Sequence, residues 1–341
     1  MKTWLLIGVI MVFIQIILGG VTRLTGSGLS ITKWDIATGT IPPMNAEEWL
    51  LEFELYKATP QYEKINEGMT VKEFKFIFFW EFIHRLWART MGFVFLIPFM
   101  FFMYKKWIDR KLLRKLTVVV LLAMVVASFG WIMVASGLVD RPWVNAYKLT
   151  LHLNLGLLLY GVLVWTYMYA LDPGRRTLKS NGLKSVLVAV FWVLALQLLL
   201  GGVMSGMKAG LYYPSWPDMN GEMVPGVLLD TANWNIKSFI EYDNYALAPA
   251  LTQFLHRMMG YVLFAMIVLF GVRILRMQTQ LWYRRGSMVL IAALCVQLVL
   301  GIYTVLNCVG RIPLFFGVMH QAGAIFLLTS LLYMMRSTIK E

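Results

Sequence analysis

Eight long apolar runs, at about 4–22, 76–104, 117–138, 149–171, 185–206, 251–275, 287–308 and 316–335, are separated by polar intervals of two kinds. About 20 residues of α-helix, rising 1.5 Å each, cross a hydrocarbon core of about 30 Å, so each run predicts a transmembrane helix. Three intervals are short and basic: residues 105–115 carry six Lys or Arg, 172–184 carry four and 273–285 carry four. Such loops mark the cytoplasmic face, and an even number of spans returns both termini to that face. Two long intervals, 23–75 and 207–250, hold most of the acidic residues and are expected outside. No charged leader precedes the first run, which is expected to be retained as a helix.

The first long interval carries its own helical signals. Pro42-Pro43-Met44-Asn45 followed by Glu47 and Glu48 reads as a helix start, with Asn45 as cap and acids near the positive end of the dipole. Trp49, Leu50, Phe53 and Tyr56 recur at helical spacing, which predicts a short amphipathic helix on the outer membrane surface. Thr70-Val71-Lys72-Glu73 has the form of a capping box, so the second span is expected to begin before the bilayer and to continue to Lys105.

The runs repeat in pairs. Gln15-Ile-Ile-Leu-Gly19-Gly20-Val21 of the first span matches Gln197-Leu-Leu-Leu-Gly201-Gly202-Val203 of the fifth, and Phe82-Ile-His84-Arg85 of the second matches Phe254-Leu-His256-Arg257 of the sixth. The seventh span repeats the glutamine-to-glycine spacing at Gln297 and Gly301, whereas the third has Val126 four residues before Gly130. The expected architecture is an all-α polytopic membrane protein of eight transmembrane helices, arranged as two pseudo-symmetric four-helix bundles. Its halves are 1–172 and 185–341, joined by a cytoplasmic linker at 173–184.

Composition agrees with that reading. The chain of 341 residues is 59% hydrophobic and 14% charged, which excludes a soluble domain and makes the lipid bilayer its solvent. Its net charge of +13 lies in the short loops rather than along one soluble face, so nucleic acid is not an expected partner. Cys295 and Cys308 belong to one apolar run and form neither a disulfide framework nor a CxxC motif.

All four histidines, His84, His152, His256 and His320, fall in even-numbered spans, 16 to 21 residues before the border residues Lys105, Asp172, Arg273 and Arg336. They therefore share one layer near the outer edge of the hydrocarbon. A single membrane histidine is most simply an interhelical hydrogen bond. Four in one layer, two per repeat, point instead to axial ligation of haem iron, with one haem position per half. Zinc or copper would need a third ligand and supporting carboxylates or thiols, which most of the layer lacks. Arg85 and Arg257 follow two of the histidines directly; they could snorkel to headgroups or hold haem propionates. Gly19-Gly20 and Gly201-Gly202 allow close helix approach or room for a flat cofactor.

The halves differ at one place. Glu81 lies three residues before His84, and Gln253 three before His256, so each shares a helix face with its histidine. A glutamine cannot hold or donate a proton as a carboxyl group can, which assigns acid, base or proton-transfer work to the first half. The structural alternative is a buried ion pair between Glu81 and Arg85.

Together, Glu81-Phe-Ile-His84-Arg85, the stretch Gly130-Trp131-Ile-Met133-Val134-Ala-Ser136-Gly137-Leu138, Lys148-Leu-Thr-Leu-His152 and Gln253-Phe-Leu-His256-Arg257 resemble the haem A synthase family over nearly the whole chain. Gly26-Ser-Gly28-Leu29-Ser30 through Pro42-Pro43 and Glu48-Trp49 is similar to that family's first external loop. The resemblance implies an oxidoreductase of cytochrome oxidase biogenesis in a bacterial-type plasma membrane, its haem sites toward the outer face. Its reaction is oxidation of the C8 methyl group of haem O to the formyl group of haem A by successive hydroxylations. It implies substrate haem O on His84, His152 and Arg85, Glu81 as the catalytic residue, and a haem b cofactor on His256, His320 and Arg257. Haem O synthase, an electron donor and a second copy of the chain remain open as partners. Some members carry a cysteine pair in the external loops; here those loops contain none. The rival reading is a non-enzymatic di-haem electron carrier of cytochrome b type. A proton-coupled transporter would use Glu81 but leave the histidines without a task.

Overall fold

A computed structural model describes residues 1–33, 39–137, 141–172, 181–277 and 280–338. Outside the described residues fall 34–38 of the first long loop, 138–140 with Leu138 at the end of the third span, most of the basic linker at 173–180, residues 278–279 and the last three residues. In chain order the helices are α1 (Lys2–Leu24), α2 (Ala46–Lys57), α3 (Val71–Tyr104), α4 (Arg110–Gly137), α5 (Ala146–Leu171), α6 (Asn181–Gly206), α7 (Gly226–Leu229), α8 (Ile236–Ile240), α9 (Leu247–Arg276), α10 (Leu281–Leu306) and α11 (Leu314–Arg336). Among the described residues, eight of these, all but α2, α7 and α8, are long and apolar enough to cross a membrane. The protein is a multi-pass membrane protein. No β-strand occurs among the described residues; an isolated antiparallel bridge joins Met219 and Glu222.

The spans extend beyond the apolar runs at several ends. α4 begins at Arg110, and the reason is local: Leu112, Leu116 and Val119, at i, i+4 and i+7, are buried and carry the helix through its basic first turns. α3 begins as its capping box requires, with the Thr70 side chain accepting from the Glu73 N–H and the Glu73 carboxylate accepting from the Thr70 N–H.

The chain divides into two compact units, Met1–Leu163 and Val164–Glu341. In the first, α1 and α3 run antiparallel and are tied along their length. Trp4 Nε1 donates to the Val94 carbonyl at 3.1 Å, Trp87 Nε1 to Met11 at 2.9 Å, and Thr22 Oγ1 to Trp80 at 3.1 Å. Away from water each such bond matters chiefly because leaving its groups unmade would cost more. In the second unit α6 packs on α9 and α11, and α10 packs on α9 and α11, so the four helices close a ring.

α2 forms where the sequence places it, with Asn45 Oδ1 accepting from the Glu48 N–H at 2.9 Å. Its apolar face differs from the expectation. Trp49, Phe53 and Tyr56 pack on Phe74 and Phe78 of α3, with Tyr56 and Phe74 stacked 5.2 Å apart, while Leu50 and Leu51 are exposed. The aromatic stripe at the start of α3 gives α2 a protein face to bury, worth about 0.5–1.5 kcal/mol per ring pair beyond area alone.

Candidate functional site

Each histidine lies against a glycine of the neighbouring span. A Cβ built on Gly19 would sit 3.1 Å from Cε1 of His84; the same distance is 2.9 Å for Gly130 and His152, 3.2 Å for Gly201 and His256, and 2.8 Å for Gly301 and His320. At Gly130 and Gly301 an alanine methyl would force the ring to shift, and at Gly19 and Gly201 it would crowd the ring, because an imidazole occupies the space of a side chain. The contact explains Gly19 and Gly201, which the sequence left between helix packing and cofactor room, and extends the repeat to Gly130 and Gly301.

Three of the imidazoles also meet a glutamine four residues before that glycine. Gln15 Nε2 lies 3.3 Å from both ring nitrogens of His84 and donates to its carbonyl at 3.2 Å. Gln197 Nε2 lies 3.3 Å from His256 Nε2, and Gln297 Nε2 lies 3.4 Å from His320 Nε2. The Gln297 carbonyl is a further 3.2 Å partner of His320 Nδ1. Beside the histidines of each unit lie buried polar atoms without partners: the Oε1 atom of Gln15 and the Nδ1 atom of His152 in the first, the Oε1 atoms of Gln197 and Gln297 and the Nδ1 atom of His256 in the second. Orphaned groups at this depth are costly unless something satisfies them.

In the second unit the His256 and His320 rings face each other, with centroids 6.5 Å apart at 77°. Two imidazoles bound to one metal by bonds of about 2 Å place their ring centres about 6 Å apart, so this pair fits axial ligation of one iron. In the first unit His84 and His152 lie close enough to interact electrostatically. Among the described residues no three His, Cys, Asp or Glu side chains gather as a metal cluster. The donor set suits a group whose remaining coordination is supplied by a macrocycle.

Glu81 is buried, 2% exposed, and its carboxylate is held by the loop after α1 and by Arg85. Its Oε2 accepts from Ser30 N–H at 2.7 Å, Ser30 Oγ at 2.7 Å and Ile31 N–H at 2.9 Å, and its Oε1 accepts from Arg85. The ion pair with Arg85 is therefore present, and the carboxylate also fastens the loop after α1. Gln61 Nε2 grips the same loop at the Gly26 carbonyl, 2.9 Å away.

The second unit fastens its long loop after α6 with opposite polarity. Gln253 Nε2 donates to the Tyr213 carbonyl at 2.8 Å, while Arg257 donates to the carbonyls of Ser215 at 2.8 Å and Asp218 at 2.6 Å. An amide and a guanidinium can cap carbonyls; a carboxylate can only receive N–H and O–H groups. Ser215 and the Gly221 N–H hydrogen-bond the Asp218 side chain and hold its carboxyl below the ordinary range.

The family model described as cytochrome oxidase assembly protein, COX15-CtaA, matches residues 2–332. The chain belongs to this family. Curated relatives named Heme A synthase include that of Nitrosospira multiformis, 39% identical over 97% of this chain and 91% of its own length. That of Rhizobium meliloti is 39% identical over 96% and 86%, and that of Nitrosomonas eutropha 38% over 98% and 92%.

Within this COX15-CtaA chain the structure brings Glu81 and Arg85 together, and separately His256 and His320. Ser30, Ile31 and Tyr213 were not singled out in the sequence. Their contribution is mostly backbone N–H and C=O, which no residue pattern displays; only Ser30, in a loop otherwise rich in glycine, carries a side-chain signal.

Proposed function

We propose that the protein is a haem A synthase, an oxidoreductase that converts the C8 methyl group of haem O to the formyl group of haem A. Each hydroxylation replaces a C–H bond by C–OH with loss of two electrons, and the doubly hydroxylated carbon loses water to give the formyl group. The observation that carries the reading is the buried Glu81 three residues before His84, where the otherwise matching second unit has Gln253 before His256. Family membership and the shared name of the relatives support it.

His84 and His152 bind the substrate haem, Arg85 stands beside its propionates, and Glu81 holds or moves a proton at the reacting hydroxyl. His256, His320 and Arg257 hold haem b, which when bound supplies one-electron transfer. The two loops fastened by Glu81 and by Gln253 with Arg257 exclude water above the histidine layer. The basic connections between spans support a reading with both termini in the cytoplasm of a bacterial-type cell and the histidines of the halves 1–172 and 185–341 toward the outer face.

Expression with a source of haem O, followed by pigment extraction, tests this directly. Hydroxylated and formylated haem are expected from the wild type; an electron carrier would return only unmodified haem. A second expectation concerns the glycines. Gly301→Ala brings a methyl group to 2.8 Å from the His320 ring and should lower haem b content several-fold. Gly156→Ala, whose Cβ meets nothing within 4 Å, should leave it unchanged. Equal haem b in both variants would remove the positional role given to Gly301.

A further inference from the structure

A haem carries two propionate carboxylates at one edge of its macrocycle, and a site that takes it as substrate must meet those charges. Resting on the haem assignment above, we propose that Arg23 of α1 and Trp80 of α3 form a carboxylate subsite that holds a propionate of the substrate haem.

Arg23 lies on the buried side of α1. At about 3.6 residues per turn it repeats Leu5, Val12 and Ile16 after about five, three and two turns, and all three are buried. Leu6, Ile7 and Ile10, which are exposed, belong to the far side of the helix. Arg23 also follows Gly19 by four residues, so it continues the stripe from which Gln15 and Gly19 meet His84. A guanidinium that snorkels to headgroups would stand on the exposed side instead. Among the described residues the Arg23 side chain has no hydrogen-bond or ion-pair partner. Arg85, the cation next to His84 in sequence, already has its charge balanced by Glu81.

Trp80 supplies the second donor. It precedes His84 by four residues, and its carbonyl accepts from Thr22 Oγ1 at 3.1 Å, which sets it level with the last turn of α1, where Arg23 stands. Its indole N–H is buried with no partner, a costly state unless a ligand accepts from it. An indole N–H only donates and a guanidinium keeps its charge, so the acceptor that satisfies both is an anion. Ser205 and Thr252 stand at the matching positions of the second unit, where Thr252 Oγ1 has the Met207 sulfur at 3.9 Å. The charged pair is therefore particular to the half assigned to the substrate. Its engagement moves no proton and no electron.

Haem O and its dimethyl ester, in which both carboxylates are neutral, separate charge recognition from fit. Full-length protein carrying haem b, in an uncharged detergent that removes lipid phosphate, is titrated with each. The wild type is expected to bind haem O about 10- to 100-fold more tightly than the ester, the range of a hydrogen bond to a charged group. Arg23→Gln should weaken haem O to the level of the ester and leave ester binding unchanged, and Arg23→Lys should restore part of the preference. Trp80→Phe, which removes the N–H and keeps an aromatic ring, should lower the preference about threefold or more.

Equal weakening of haem O and ester by Arg23→Gln would make Arg23 a structural residue, and a preference that survives the substitution would make it an anchor for a lipid phosphate or nothing at all. Either result overturns the proposal, as does a wild type without preference. Should Arg23→Gln fail to fold, Trp80→Phe decides, and an unchanged preference overturns it equally. Failure of the underlying haem assignment looks different: His84→Ala would then leave the binding of both haem forms unchanged.

Discussion

Glu81→Gln is expected to abolish hydroxylated and formylated haem while leaving the haem b spectrum in place. Positioned proton transfer contributes about 10²–10⁴-fold, so product should fall at least 100-fold. The structure complicates the reading of that variant, because Glu81 also accepts four hydrogen bonds, three from Ser30 and Ile31 and one from Arg85. An amide offers one acceptor oxygen, and its NH2 group would face donors, so Glu81→Gln disturbs the loop as well as the proton. Ser30→Ala separates the two effects. It removes the hydroxyl donor but keeps the carboxyl group and both backbone N–H bonds. Retention of at least about a tenth of the product by Ser30→Ala, against loss in Glu81→Gln, assigns the chemistry to the carboxyl group, since one hydrogen bond is worth about 1 kcal/mol. Equal loss in both would make Glu81 a loop fastener only, and normal haem A from Glu81→Gln would remove it from the reaction.

Hydrophobic run length located all eight spans, because a helix that must satisfy its own backbone in lipid needs about 20 apolar residues and little else. Helix ends were less legible: α4 starts in a basic stretch on the strength of Leu112 and Leu116, which only tertiary packing makes decisive. The four histidines stood out as candidates because membrane histidines are few and the repeat doubles each signal. The glycine seats of His152 and His320 did not, since Gly130 and Gly301 stand alone rather than in a pair. Glu81 was legible as an anomaly, whereas its partners were not. Two of its four hydrogen bonds come from backbone N–H groups of Ser30 and Ile31, and any residue type supplies those. The rule that Gln253 lacks a proton to give was correct as chemistry but incomplete as structure: Gln253 is chosen also to donate to the Tyr213 carbonyl, a task a carboxylate cannot perform.

Removal of single imidazoles should divide the four histidines by unit. His256→Ala or His320→Ala takes one imidazole from the proposed haem b position, where the ring centroids stand 6.5 Å apart. Neither Gln197 nor Gln297 can replace the lost bond, because an amide is a poor ligand for haem iron compared with imidazole. Stable haem b absorbance is therefore expected to fall by about tenfold or more in either variant, measured as reduced-minus-oxidised spectra per purified protein. His84→Ala and His152→Ala leave that pair intact and should retain most of the signal while losing product. A reversed pattern would exchange the roles of the two units. Equal loss from all four variants would sink the assignment of one haem to each unit, since ligands of separate sites have no reason to fail together. Both variants are expected to lose product, but on the proposed assignment for different reasons: His256→Ala starves the reaction of electrons, His84→Ala removes the seat of the substrate, and only the first should lose its resident spectrum.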